Sequence, residues 1–147
     1  MKELTIRESI HIQAPAAKVW DVLTQPEYTR QYMFGCAAVT DWKVGSPLDW
    51  KGTYEGKEMT FVSGKILSME PGYALVYTTF DPNVNYKDLP ENYMRVTYRL
   101  TPKDHGVMLE VTQGDFSKVE NAEKRYTETA SGWPMVLENV KAIAEKG

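Results

Sequence analysis

The sequence predicts an α+β domain. It should have a curved antiparallel sheet, two short helices directly after the first strand, and a long C-terminal helix packed on the concave face of the sheet. Three observations carry this expectation. Period-two segments joined by hairpin-length turns run from about residue 47 to residue 112. A four-three apolar repeat fills the last part of the chain. Two short stretches bounded by prolines separate the first strand from the rest. A helix with one apolar stripe needs a surface to cover, and one face of the sheet supplies it.

Each element has its own signal. Leu4, Ile6, Ile10 and Ile12 occupy even positions against Thr5, Arg7, Ser9, His11 and Gln13 on odd ones, which marks a half-buried strand. Ala14-Pro15 ends it, and the proline suits the first turn of a helix whose Val19, Trp20 and Leu23 share a face. Gln25-Pro26 stops that helix, and a second covers Glu27 to Tyr32. Strands are expected over Pro47–Tyr54 and Lys57–Glu70 around a tight Glu55-Gly56 turn, then over Tyr73–Phe80 after Pro71-Gly72. Met59, Phe61, Leu67 and Met69 share a parity that Ser63-Gly64-Lys65 interrupts, so a bulge near Gly64 is expected.

Residues 81–92 read as a polar loop with two prolines. Met94, Val96, Tyr98 and Leu100 then alternate with Arg95, Thr97 and Arg99. After the Lys103–Gly106 turn, Val107, Leu109 and Val111 alternate with Met108, Glu110 and Thr112. The apolar sets should face the long helix, because a slip of one residue would exchange the two faces. In that helix Tyr126, Ala130, Trp133, Leu137, Val140 and Ala144 form one stripe. Pro134 opposes it by removing a donor and crowding the carbonyl of Ala130. The outcome is a kink, or a break with Ser131 capping a new helix. The constant phase of the stripe favours the kink.

Composition bounds the rest. At 147 residues the chain matches one domain, 1–147, and its 42% apolar and 25% charged residues place it with ordinary globular chains rather than disordered ones. Seventeen basic against twenty acidic residues give a net charge of −3 without a basic stripe, which argues against nucleic acid and membrane surfaces as partners. The one cysteine, Cys36, forms no intramolecular disulfide, and its apolar context makes it a small hydrophobe. No Cys/His pair has ligand spacing, so neither a metal nor a cofactor is expected. The start of the chain lacks the apolar core of a signal peptide, and no apolar run approaches the ~20 residues of a membrane span. A cytoplasmic location is expected.

An ordered set of local patterns resembles one family. Ile12-Gln13-Ala14-Pro15, Val19-Trp20 and Leu23-Thr24-Gln25-Pro26 are similar to the opening of the Hsp90 ATPase activator-like proteins. Val44-Gly45 and the run from Gly64 through Leu67 to Pro71 fit that family's middle strands. Leu75-Val76-Tyr77, Val96 to Leu100 and Gly106 to Leu109 fit its later ones, and Gly132-Trp133 with Leu137, Val140 and Lys141 fits its closing helix. The chain differs at Gly45-Ser46, where a double glycine is common, and at Tyr32-Met33-Phe34, where tryptophan is. The resemblance implies the helix-grip fold of START-like lipid carriers, plant pollen allergens (the Bet v 1 type) and polyketide cyclases, in which the sheet curls around the long helix and often leaves an apolar cavity.

Candidate site residues follow from parity and residue type. Glu8 stands on the apolar parity of the first strand, where a carboxylate acts as an acid–base group, lies at the cavity mouth or pairs with a base across the sheet. His11 lies on the polar parity and His105 in a turn, so both should face solvent. Of ten aromatic residues (Trp20, Phe34, Trp42, Trp50, Phe61, Tyr77, Tyr98, Phe116, Tyr126 and Trp133), several should point into one space between sheet and helix, either as a filled core or as the walls of a pocket. Phe61, Tyr77, Tyr98, Tyr126 and Trp133, with Glu8, are the candidate ligand-binding residues, and the phenols of Tyr77 and Tyr98 would orient a ligand. The favoured reading is binding of a small hydrophobic or amphipathic ligand without catalysis. Two alternatives stand beside it: a protein-interaction role like that of the activator, and a polyketide cyclase- or hydratase-like enzyme using Glu8 or a tyrosine. A fold shared by many functions does not decide among them.

Overall fold

In the computed structural model, which describes residues 4–33, 35–80, 93–119 and 122–146, the alternation of the first segment becomes β1 (Ile6–Ile12). Helices α1 (Ala16–Thr24) and α2 (Pro26–Tyr32) follow. The strands β2 (Ala37–Val39), β3 (Pro47–Tyr54), β4 (Lys57–Glu70), β5 (Ala74–Thr79), β6 (Met94–Lys103) and β7 (Gly106–Gly114) come next. A 3-10 turn (Phe116–Lys118) leads into α3 (Ala122–Glu145). The seven strands form one antiparallel sheet in the order β1-β7-β6-β5-β4-β3-β2, and α3 packs against β1, α1 and α2. The expected polar loop at 81–92 and the aromatic Phe34 lie outside the described residues.

The late strands keep the expected faces. Val96, Tyr98, Leu100, Leu109 and Val111 are buried, while Arg95, Arg99 and Glu110 are exposed. The β6–β7 register pairs Tyr98 with Val111 and Leu100 with Leu109, so one apolar face is continuous across both strands. At the β3–β4 turn Glu55 and Gly56 take φ of 51° and 78°, the left-handed pair that a two-residue hairpin requires.

The single bulge expected near Gly64 is resolved into two that flank it. Trp50 pairs with Val62 and Lys51 with Thr60, which leaves Phe61 as the extra residue. Ile66 pairs with Tyr77 and Ser68 with Val76, which leaves Leu67 extra. Each bulge shifts the alternation by one. The buried residue of this strand is therefore Ile66, not Leu67, and the shared parity expected for Met59, Phe61, Leu67 and Met69 is not kept. Gly64 has a different reason to be glycine. A Cβ there would lie 1.8 Å from the carbonyl oxygen of Thr78, so β5 crosses this point in space that only a hydrogen leaves open.

Strand β2 has no sequence signal of its own, because three small residues show no period. Thr29 explains it: its buried hydroxyl donates to Pro26 O (3.2 Å) and accepts from the backbone N–H of Ala38 (3.0 Å), tying α2 to β2. Helix α3 runs through Pro134 without a break. Ser131 caps nothing, since its hydroxyl donates back to Glu128 O at 2.8 Å. Pro134 is exposed, so its ring stands outside the packed face. The C-terminal end of α3 is fastened to the end of β1. Lys141 Nζ donates to His11 O (2.8 Å) and to Glu145 Oε2 (2.6 Å), and Glu145 Oε2 also accepts from the backbone N–H of Gln13 (2.8 Å).

Candidate functional site

The N-terminal half of α3 does not close down on the sheet as its C-terminal half does. Between them lies a cavity of about 500 Å³, inside the range of small-molecule sites. Its sheet side is Trp50, Phe61, Val62, Tyr77, Met94 and Val96. The bulge in β4 puts both Phe61 and Val62 on this wall, where strict alternation would have sent one of them to the other face. Its helix side is Arg125, Glu128, Thr129, Gly132, Trp133 and Val136, a face spaced by threes and fours. Gly132 stands in the middle of that face, and a Cβ built on it would meet nothing within 4 Å. At Gly132 itself α3 presents no side chain to the hollow. Met33, Cys36 and Phe116 complete the walls, and burial pushes the Cys36 thiol pKa up. Phe80, also in the wall, stacks on Tyr93 with ring centroids 4.8 Å apart.

Of the residues named from sequence, Phe61, Tyr77 and Trp133 line this cavity. Tyr98 lies beneath it, fully buried, with its hydroxyl 2.7 Å from that of Tyr77 and its ring edge-on to Trp133 at 6.2 Å. The two phenols therefore serve each other. Tyr126 stands behind the wall, half-buried and edge-on to Phe116 at 6.0 Å. Glu8 is half-buried on β1 opposite Val111, outside the cavity wall. His11 is half-buried and donates through Nε2 to Lys103 O at 2.8 Å, and His105 is exposed in its turn.

Electrostatics favour neutral side chains at the base of the site. Burial pushes the Tyr77 phenol well above its usual range, and so does the neighbouring charge that Tyr98 or Tyr32 would carry. Tyr32 is raised in the same way, chiefly by burial, and its hydroxyl donates to Leu23 O at 2.7 Å. Burial raises Tyr98 as well, but the hydroxyls of Tyr77 and Tyr32 hold the rise to about 12. All three remain protonated across the physiological range. Among the described residues no group of three or more His, Cys, Asp or Glu side chains is arranged to hold a metal.

The polar wall groups Thr79, Gln113, Arg125, Glu128 and Thr129 were not foreseen. One of them had a legible signal. Val107, Leu109 and Val111 define an inward parity that Gln113 continues, so it is a polar residue on an apolar face just as Glu8 is. It is buried, and its Oε1 accepts from Trp133 Nε1 at 2.7 Å.

Comparison with known proteins places the fold. A family model described as activator of Hsp90 ATPase homolog 1-like protein matches residues 13–145. No curated protein matches the sequence. The solution structure of ChR145 from Cytophaga hutchinsonii is 37% identical, with a TM-score of 0.79, and the match covers 99% of this chain and 97% of that one. The crystal structure of MLL2253 from Mesorhizobium loti is 23% identical, with a TM-score of 0.75 and 97% of each chain covered. The Aha1 dimer from Colwellia psychrerythraea is 15% identical, with a TM-score of 0.72 and 96% of each chain covered. These likenesses extend over the whole order of elements, and the fold is the helix-grip fold. Among the described residues no helix is long and apolar enough to cross a membrane.

Proposed function

The chain belongs to the activator of Hsp90 ATPase homolog 1-like family, and from that premise we propose that it binds a small hydrophobic or amphipathic ligand between the sheet and the C-terminal helix, without catalysis. The observation that carries this reading is the cavity of about 500 Å³ with its mainly apolar walls. An apolar hollow of this size leaves its walls in contact with water, and a ligand of matching shape removes that surface from water. The polar groups on the helix side give one end of such a ligand a wet or charged neighbour, which suits an amphipathic molecule.

Binding is favoured over chemistry because the acid–base candidates named from sequence, Glu8 and the two tyrosines, do not converge at the cavity. Tyr77 and Tyr98 hydrogen-bond each other and stay protonated, and Glu8 stands outside the wall. An enzyme of this size of site needs at least two convergent groups in reach of one substrate atom. A protein-interaction role has less support. Among the described residues the exposed large apolar residues Val39, Val44, Tyr54, Tyr73 and Met135 share no single strand or helix face.

Native mass spectrometry of the purified protein tests the reading. A mass excess of a few hundred daltons that collisional activation removes is the expected result. A bare mass, together with no binding by a panel of naphthalene-sized compounds, would overturn it.

A further inference from the structure

We propose that the cavity selects ligands carrying a neutral carbonyl oxygen, which the side-chain amide of Gln113 binds; this rests on the ligand-binding reading above. The argument begins with Trp133. An indole N–H is a donor only, so the atom of Gln113 that lies 2.7 Å from Trp133 Nε1 must be the amide oxygen. Chemistry thus fixes which way the amide faces, and its NH2 points away from the indole. Gln113 is 8% exposed, and its NH2 makes no hydrogen bond among the described residues. Its side chain is part of the cavity wall. The NH2 is not sealed off but opens onto the cavity, where water or a ligand acceptor meets it.

The surroundings say which kind of acceptor fits. Val96, Phe116, Trp133 and Val136 share the cavity with Gln113 and are apolar. Arg125 also lines the cavity, its backbone about 12 Å of helix rise from Trp133. A carboxylate placed at Gln113 would surrender its hydration for a single neutral donor, which is unfavourable. A hydrocarbon would leave the amide unsatisfied. A ketone, ester or amide carbonyl needs one or two donors and loses little hydration, so it matches the site. Trp133 holds the amide in place beforehand, and the ligand therefore does not have to order it.

Three probes of one shape test this: 2-acetylnaphthalene, 2-isopropenylnaphthalene (a methylene in place of the oxygen) and 2-naphthoate. Each is titrated into 15N-labelled protein and followed by two-dimensional NMR. The ketone should bind about three- to tenfold tighter than the alkene, the worth of one hydrogen bond to a neutral acceptor. The ketone should also move the Gln113 side-chain NH2 signals downfield, and the alkene should not. Gln113→Leu should make ketone and alkene equal. If that variant fails to fold, the wild-type amide signals decide alone. Equal affinities with an unmoved Gln113 amide would overturn carbonyl selection and leave ligand binding standing. Tighter binding of the naphthoate would overturn the preference for a neutral acceptor. Binding of none of the three, with no co-purified molecule, would remove both readings.

Discussion

Gly132 separates the stability of the fold from the capacity of the cavity. A glycine inside a helix costs about 1 kcal/mol relative to alanine, because more backbone freedom is lost on folding. A Cβ at Gly132 meets nothing within 4 Å, so alanine should regain that amount without a steric charge against it. For a domain of this size about 1 kcal/mol raises the melting temperature by about 2–4 °C, which differential scanning calorimetry resolves. Leucine has nearly the helix preference of alanine, and its side chain would enter the space that the sheet wall leaves open. Stability should therefore be kept or improved in Gly132→Leu. Binding of 2-acetylnaphthalene should weaken roughly tenfold or more, since displacing an inserted side chain costs about 1–3 kcal/mol. A fall of several degrees in Gly132→Ala would mean that the position is not open. Unchanged probe affinity in a folded Gly132→Leu protein would mean that this hollow is not where the probe binds.

Three further outcomes follow from the hydrogen bonds and the helix. Tyr98→Phe leaves the buried Tyr77 hydroxyl without its 2.7 Å partner; urea denaturation should show a loss of about 1–3 kcal/mol, largely recovered in the Tyr77→Phe/Tyr98→Phe double variant, and a loss that simply adds would show that the two hydroxyls are not coupled. Glu145 has its pKa lowered from 4.5 by the side-chain hydrogen bond with Lys141 and then by the Gln13 N–H. A lowered folded-state pKa stabilises fully above the unfolded value and is lost as pH falls through the folded one, so acid unfolding of Glu145→Gln should show a weaker pH dependence below about 4.5, and identical acid transitions would refute the clamp. Pro134→Ala restores the N–H that the Ala130 carbonyl lacks and removes no buried group; a gain of about 1–3 kcal/mol in chemical denaturation is expected, and a loss would show that the proline geometry is itself part of the packing.

Hydrogen-bond geometry and side-chain spacing are local, and this is why so much of the fold is legible in the chain. The parity of Val96, Tyr98 and Leu100 against Arg95 and Arg99 names the buried face of β6 before any partner strand is known. The stripe from Tyr126 to Ala144 names the covered face of α3 in the same way and carries the helix through Pro134. Strand β2 escapes this logic, because three small residues become a strand only when β3 and Thr29 supply their partners. The bulges at Phe61 and Leu67 escape it as well, since an extra residue is defined only against the strand it pairs with.

The residues of the site divide along the same line. Phe61, Tyr77 and Trp133 are legible as aromatic residues bound for the interior, and Gln113 is legible as a polar residue on an apolar parity. Depth is not legible. Tyr98 shares the parity and chemistry of a wall residue, yet it lies one layer below and spends its hydroxyl on Tyr77. Glu8 shares the parity of the core and stands outside the cavity. The void itself belongs to no segment. It is the difference between two surfaces distant in sequence, a helix face lacking a side chain at Gly132 and a sheet wall that does not advance to fill the gap. Outside the bulges, sequence periodicity determines which way each side chain points, but only the packed tertiary structure determines whether what it points at is another side chain or empty space.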